Sequence, residues 1–328
     1  MNRPFSTTPD DSSAAGAWRP AAFALLLALV VVGLSYLYWR AEEREVNDRR
    51  WRDLQTSADQ IAYNLRDRMA AYELVLRGVK GYFDGSERID REEFQAYVGA
   101  LQLQATRPGL QGVSLVLYLP GDALPAHLAD MRQRGFASYA VRPPGPRAVY
   151  TPITHIEPLE GENLKVLGFD VSTMDIAREA LDRARDTGQL AVSGRLPLIQ
   201  GQEQGMQPGL VMYQPVYDRL ARLNDVQSRR DALRGWVSAP FRMSEVIAGL
   251  SAEFDADVGL EIFDGDISAD DSRLFGKPWA GGMNRAPCPP RAVSILAGGT
   301  GRCACIRWRR SKRATAPVPM RLWPAWAP

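Results

Sequence analysis

Residues 21–39 read AAFALLLALVVVGLSYLYW, nineteen consecutive positions without a charge. A helix of about 20 apolar residues covers the ~30 Å hydrocarbon core of a bilayer, so this run limits the chain to folds that leave it in lipid or bury it whole. Tyr36, Tyr38 and Trp39 stand at its end, where amphipathic rings favour the membrane–water interface. A secretory leader would have an apolar stretch of roughly 7–15 residues followed by small residues at a cleavage site. Here Tyr-Trp-Arg follows, which predicts an uncleaved anchor. Arg3 and Arg19 precede the run, whereas Arg40, Arg44, Arg49, Arg50 and Arg52 follow it among five acidic residues. The basic count alone would put the C-terminal side in the cytoplasm.

Charge divides the rest of the chain. Of 328 residues, 40 are basic and 38 acidic, but every acidic residue lies at or before Asp271. Residues 1–271 hold 29 basic and 38 acidic residues, a net −9, and residues 272–328 hold 11 basic and none acidic, a net +11. The second piece also contains all 3 Cys, 4 of the 8 Trp and 8 of the 23 Pro, a composition unlike that of an ordinary globular segment. A GC-rich coding sequence read out of frame gives such a composition, and the expectation is a frameshift near 275–280. The first piece has no cysteine and thus no disulfide framework. Its bases are almost all Arg, which reflects base composition more than a nucleic-acid site, and no nucleic-acid partner is expected.

Periodicity then assigns elements. Leu54, Ala58, Ile61, Leu65, Met69, Tyr72, Leu76 and Val79 recur at steps of three and four within a Pro-free stretch, predicting one helix over 41–82. Its apolar stripe suits either a domain core or a second copy of the same helix. A helix over 90–103 would start at Asp90 as N-cap with Glu93 closing a capping box. GVSLVLYL at 112–119 predicts a strand, 123–133 a helix, 149–156 and 164–171 extended segments, and 173–186 a helix ended by Gly188. Short strands at 190–199, 210–217, 235–241 and 258–263 and a helix over 243–252 complete the pattern. Strands this close leave no room for crossover helices, so the fold class is α+β with an antiparallel sheet.

Chemical motifs are sparse. The sequence has no phosphate loop, zinc-protease helix or nucleophile elbow. His127 and His155 are its only histidines, and both are assigned to surface or packing roles. Asp264, Asp266 and Ser268 imitate the start of a calcium loop, but Ala269 and Phe275 occupy the Gly and Glu positions. Cys303 and Cys305 have only Cys288 as a further thiol. No catalytic residue, metal or cofactor is expected.

The informative block is 149–217, with VYTPITHIEP, LGFDVSTMDIAREALDRARDTGQLAVSGRLPLIQ and GLVMYQPVY. It resembles the CHASE domain, the extracytoplasmic sensor module of histidine kinases, diguanylate cyclases and plant cytokinin receptors. The features that carry the resemblance are Pro152-Ile153, Gly168-Phe169-Asp170, the helix ending at Ala184 to Gly188, and Pro215 to Tyr217. Arg77-Gly78-Val79, Phe83, Phe94, Tyr97, Gly235-Trp236-Val237 and Phe241-Arg242 extend it over roughly 75–250.

The resemblance implies a long N-terminal stalk helix leading into PAS-like mixed α/β lobes, flanked by two spans and facing outward. It also implies a small-molecule ligand of unknown identity that shifts the stalk helices of a homodimer. The candidate ligand-binding residues are Tyr150, Asp170, Asp175, Ile199 and Tyr213. Cytokinin receptors hold adenine through a carboxylate whose position corresponds to Ala177 here, which argues against that ligand. The expected organisation is a cytoplasmic N-terminus over 1–20, a transmembrane helix over 21–39, a stalk over 41–82, a sensor over 75–265 and an out-of-frame tail over 272–328. With no second span or output motif after Phe263, this chain is expected to be a single-pass inner-membrane sensor facing the periplasm or exterior, its kinase or cyclase absent. A membrane-anchored interaction protein and a periplasmic enzyme are the alternatives.

Overall fold

A computed structural model describes residues 18–86, 89–198, 208–250, 258–264, 273–276, 291–294 and 303–310. The chain divides into two compact units, Met1–Thr56 and Ser57–Pro328. Helix α1 is Trp18–Gly85, and its residues fall in both. In the first unit, Ala22–Glu45 is long and apolar enough to cross a membrane, and no part of its most apolar window is buried. Tyr36 and Trp39 lie side by side in the C-terminal half of that stretch, ring centroids 6.3 Å apart.

The second unit is built on a six-stranded antiparallel sheet. Its strands are β1 (Val113–Leu117), β4 (Ile153–Glu157), β5 (Ala191–Val192), β6 (Leu196–Pro197), β7 (Pro208–Tyr217) and β8 (Leu233–Phe241). The order is β4-β1-β8-β7-β5, with β6 also pairing β7. Strands β2 (Leu119–Pro120) and β3 (Val149–Tyr150) form a separate small ladder. The long strands β7 and β8 are buried almost throughout because both faces of the sheet are covered. On one face lies the α1 stripe, where Ile61, Leu65, Met69, Tyr72, Leu76, Val79 and Phe83 are all buried at the predicted spacing. Arg68 of α1 donates to the carbonyls of Val246 (3.0 Å) and Gly249 (3.3 Å), and the Tyr72 hydroxyl donates to the Pro108 carbonyl. Leu54 and Ala58 of the expected stripe lie outside the described side chains.

The other face is covered by α5 (Asp175–Thr187), whose buried positions Ala177, Ala180, Leu181 and Ala184 follow the 3–4 spacing of one helical face. Three of the four are alanine, so the helix backbone can approach the sheet closely. The Trp236 indole fills the space beneath and donates to the Leu181 carbonyl at 3.1 Å.

Several elements depart from expectation. Helix α2 (Arg91–Ala100) has Asp90 as N-cap, but the carboxylate accepts from the Glu92 amide, and Glu93 faces the Tyr82 hydroxyl at 3.5 Å rather than closing a capping box. Residues 164–171 are not a strand. Gly161–Lys165 is a 3₁₀ turn, and the chain then reverses at Gly168 (φ +81°), leaving Phe169 and Asp170 with single bridges. The Arg142 guanidinium holds this turn by donating to the Lys165 and Leu167 carbonyls, both at 2.8 Å. Helix α3 (Leu103–Thr106) continues the predicted 90–103 helix as a separate turn, α4 (Leu124–Gln133) matches its prediction, α6 (Val226–Asp231) was not predicted, and α7 (Met243–Ala248) is shorter than predicted.

A second sheet contains β9 (Val258–Asp264), β10 (Arg273–Phe275), β11 (Arg291–Ser294) and β12 (Cys303–Arg310), in the order β10-β9-β12-β11. The basic tail had no predicted element, yet β12 pairs antiparallel with β9 over seven positions, from Ala304↔Asp264 to Arg310↔Val258. Its sequence alternates Ala304, Ile306 and Trp308 with Cys305, Arg307 and Arg309, the period of a strand. Asp266, Ser268 and Ala269 of the calcium-loop imitation lie outside the described residues.

Candidate functional site

The residues that build the site come from the face of the sheet beneath α5. Side chains alternate across a strand, so Trp236, Ser238 and Pro240 of β8 face α5, whereas Val237, Ala239 and Phe241 face α1. On β4 a bulge adjusts the pattern. Val116 pairs Ile153 and Leu115 pairs His155, leaving Thr154 as the extra residue. Ile153 therefore faces α5 while His155 reaches the other side and meets Phe94 edge-on at 5.8 Å.

Between α5 and this face is a cavity of about 50 Å³. Its floor is Ser114, Ile153, Val211, Tyr213, Ser238 and Pro240 of the sheet. Its roof is Val166, Phe169, Val171, Met174 and Ala177, and Leu196, Pro197 and Leu198 close one side. Leu198 packs over Gly209, where any Cβ would collide with it. The Ser114 and Ser238 hydroxyls, opposed across the β1–β8 pairing, bond to each other at 2.6 Å. Tyr213 is 2% exposed, and burial alone pushes its phenol well above the ordinary tyrosine range, so it stays a neutral hydroxyl.

Of the five candidate residues, Tyr213 lines the cavity. Ala177, where the resemblance aligns the cytokinin-binding carboxylate, lines it too and is 1% exposed. Asp170 is completely buried one step behind the roof, between the lining residues Phe169 and Val171. Its Oδ1 accepts from the Thr151 amide (2.9 Å), the Thr151 hydroxyl (2.8 Å) and the Ser172 hydroxyl (3.0 Å), and Arg147 stands 3.5 Å from Oδ2. Asp170 makes no side-chain cap to the 3₁₀ turn that follows it, and α5 begins beyond that turn at Asp175. The Tyr150 hydroxyl donates to the Gly145 carbonyl (2.8 Å) and accepts from the Arg147 amide (3.0 Å), bracing the loop before β3 rather than reaching the cavity. Asp175 is 83% exposed and paired with Arg178. Ile199 lies outside the described residues. The histidines pack: His127 contacts the Tyr139 hydroxyl at 3.2 Å, and His155 the Thr154 hydroxyl at 3.0 Å.

Sequence reasoning missed Ser114, Ser238, Phe169 and Met174. A signal existed for the serines, since each interrupts an otherwise apolar strand, GVSLVLYL and GWVSAPF.

The CHASE domain family profile matches residues 87–275. No curated protein matches. Among solved structures, the ligand-binding domain of the Pseudomonas aeruginosa PAO1 amino-acid chemoreceptor PctC, in complex with GABA, is similar with a TM-score of 0.42 and 13% identity, over 75% of this chain and 93% of that one. An extracellular ligand-binding receptor from Desulfohalobium retbaense is similar with a TM-score of 0.43 and 14% identity, over 78% of this chain and 39% of its own length. The family match covers more than half of the 328 residues and includes the whole six-stranded sheet and α5, so the chain belongs to the CHASE domain family.

Proposed function

We propose that this chain is a membrane-anchored sensor that binds a small molecule in the cavity beneath α5 and performs no chemistry of its own. The cavity carries the proposal. It is a half-open cleft, mostly apolar and lined by a few hydroxyls, the usual make-up of a small-molecule site, and it lies within a domain whose family senses external signals.

Residues 21–39 serve as the anchor and 41–82 as the stalk, with the sensor outside the cytoplasm. The anchor is supported by the exposed apolar stretch Ala22–Glu45, and the stalk by the continuation of the same helix to Gly85. Pairing of two stalks into a homodimer would give the ligand a helix interface to act on. Strand β8 offers a route, because Pro240 lines the cavity while the adjacent Phe241 packs against Tyr72 of α1. A ligand that fits better with one setting of β8 would shift α1 with it. The family match ends at Phe275, beside the point where acidic residues cease, which supports a change of reading frame there.

The test is thermal unfolding of the full chain in lipid nanodiscs against a panel of metabolites. Saturable stabilisation by one chemical class is the expected result. No stabilisation at any concentration contradicts the sensor, and turnover of a compound points to an enzyme. Resequencing around codon 276 tests the tail: a restored frame should encode a second span and an output domain.

A further inference from the structure

Granting the sensor reading, we infer that the cavity takes an uncharged, mainly apolar molecule with one hydrogen-bonding group, met by Tyr213, and excludes zwitterions such as free amino acids. Among the described residues that line it, none carries a charge. The polar groups on its floor are the hydroxyls of Ser114, Ser238 and Tyr213. The first two already bond each other. The Tyr213 hydroxyl, on a side chain 2% exposed, makes no hydrogen bond to any other described residue, and burial is the sole cause of its shifted titration. A buried hydroxyl is stabilised by a hydrogen-bond partner, and a ligand with one hydrogen-bonding group can supply it.

Charged partners are accounted for elsewhere. Asp170, the buried carboxylate behind the roof, is not among the lining residues; its Oδ1 accepts from Thr151 and Ser172, and its Oδ2, which accepts no hydrogen bond, lies 3.5 Å from the Arg147 guanidinium. The positive end of α5 is met by Asp175 in its first turn. The sheet's backbone groups are used in strand pairing, and Pro240 has no N–H to offer. An ammonium or carboxylate entering the cavity would lose its water and find no opposite charge among the described lining residues. At about 50 Å³ the cavity is also smaller than the ~150 Å³ that holds a benzene in an engineered protein core. A larger ligand must project from the open side or displace a wall, and Met174, unbranched and with three rotatable side-chain bonds, is suited to give way.

Calorimetric titration of the full chain in nanodiscs, with empty nanodiscs as the blank, tests this with cyclohexanol and indole against L-leucine and 4-aminobutyrate. The expected result is saturable binding of the two neutral probes and none of the two zwitterions. Tyr213→Phe should weaken cyclohexanol by about fivefold, the usual scale of one hydrogen bond, and leave methylcyclohexane unchanged. Ala177→Phe, which fills the cavity, should abolish binding, and Met174→Phe is a second filling variant should the first not fold. Tighter binding of leucine or 4-aminobutyrate, lost in the filled variants, would overturn the ligand class and leave the sensor standing. Binding that survives both filled variants, or no saturable binding by any probe, would overturn the cavity as the sensing site and this inference with it.

Discussion

The ring of Phe241 meets the ring of Tyr72 edge-on, centroids 6.0 Å apart and planes at 69°. One residue earlier on the same strand, Pro240 forms part of the cavity floor. Two successive residues of β8 thus touch the cavity on one side of the sheet and α1 on the other. Such an aromatic pair is worth about 1 kcal/mol beyond the area it buries. Phe241→Leu should lower stability by about 1–2 kcal/mol, leave ligand affinity within about twofold, and remove any ligand-dependent change in α1. Hydrogen–deuterium exchange of the α1 amides, with and without ligand, reads the last effect. Unchanged ligand-dependent protection in the variant would show that β8 is not the route.

Asp170 anchors the turn that roofs the cavity. Replacing it with alanine strands the buried Thr151 amide and leaves Arg147 without its carboxylate, so a loss of about 3 kcal/mol is expected. Thr151→Val removes one hydroxyl from the same network and should cost about 1 kcal/mol. Urea unfolding of the two variants checks both the size and the order of these losses.

Gly168 has φ +81°, and a Cβ on it would run into the Ala140 carbonyl oxygen. Backbone strain and collision act together there, so Gly168→Ala should destabilise by about 2 kcal/mol or more, above the ~1 kcal/mol that a left-handed backbone alone costs a residue with a Cβ. Gly135, also at positive φ (+94°) but with open space around it, should tolerate alanine at the lower cost. Thermal melts of the two variants make the comparison.

His155 sits between the sheet and α2, with Arg134, Asp90, His127 and Arg91 in its surroundings. Burial pulls its imidazole down to about 4, and Arg134 adds to the effect. Its folded pKa therefore lies below its unfolded value of 6.5, so the folded state favours the neutral ring. The stability is fully present above pH 6.5 and is lost as the pH falls toward 4, by about 3 kcal/mol over that window. Denaturation of His155→Phe should show a flatter profile between pH 6.5 and 4, with a residual slope from His127, which burial also lowers. An unchanged profile would mean that the ring titrates normally in the fold.

Several features were legible because they rest on repeating patterns. The α1 stripe from Ile61 to Val79 and the α5 face are set by helical spacing alone, and the strands β7 and β8 by long apolar runs. The GFD motif was legible as important, but its reason was not. Gly168 is needed for a left-handed turn, and Asp170 for a bond to Thr151, nineteen residues away. Such a contact has no local signature. The same holds for Tyr150, whose hydroxyl is taken up by its own loop, and for Asp175, the nearest substitute for the expected carboxylate, which lies two residues before Ala177 and faces solvent. The cavity floor was hidden for a further reason. Which face of β4 reaches it depends on the bulge at Thr154, and a one-residue insertion reverses every inward and outward assignment beyond it.

The central claim is that a small molecule occupies the space beneath α5, and Met174 is the natural reporter. With ¹³C-methyl methionine in the full chain in nanodiscs, its resonance can be assigned by Met174→Leu and followed during titration with a stabilising compound. The account predicts a saturable shift of the Met174 methyl, with the same midpoint as the thermal stabilisation, while buried Met131 of α4 stays in place. Stabilisation accompanied by a shift at Met131 and none at Met174 would contradict it.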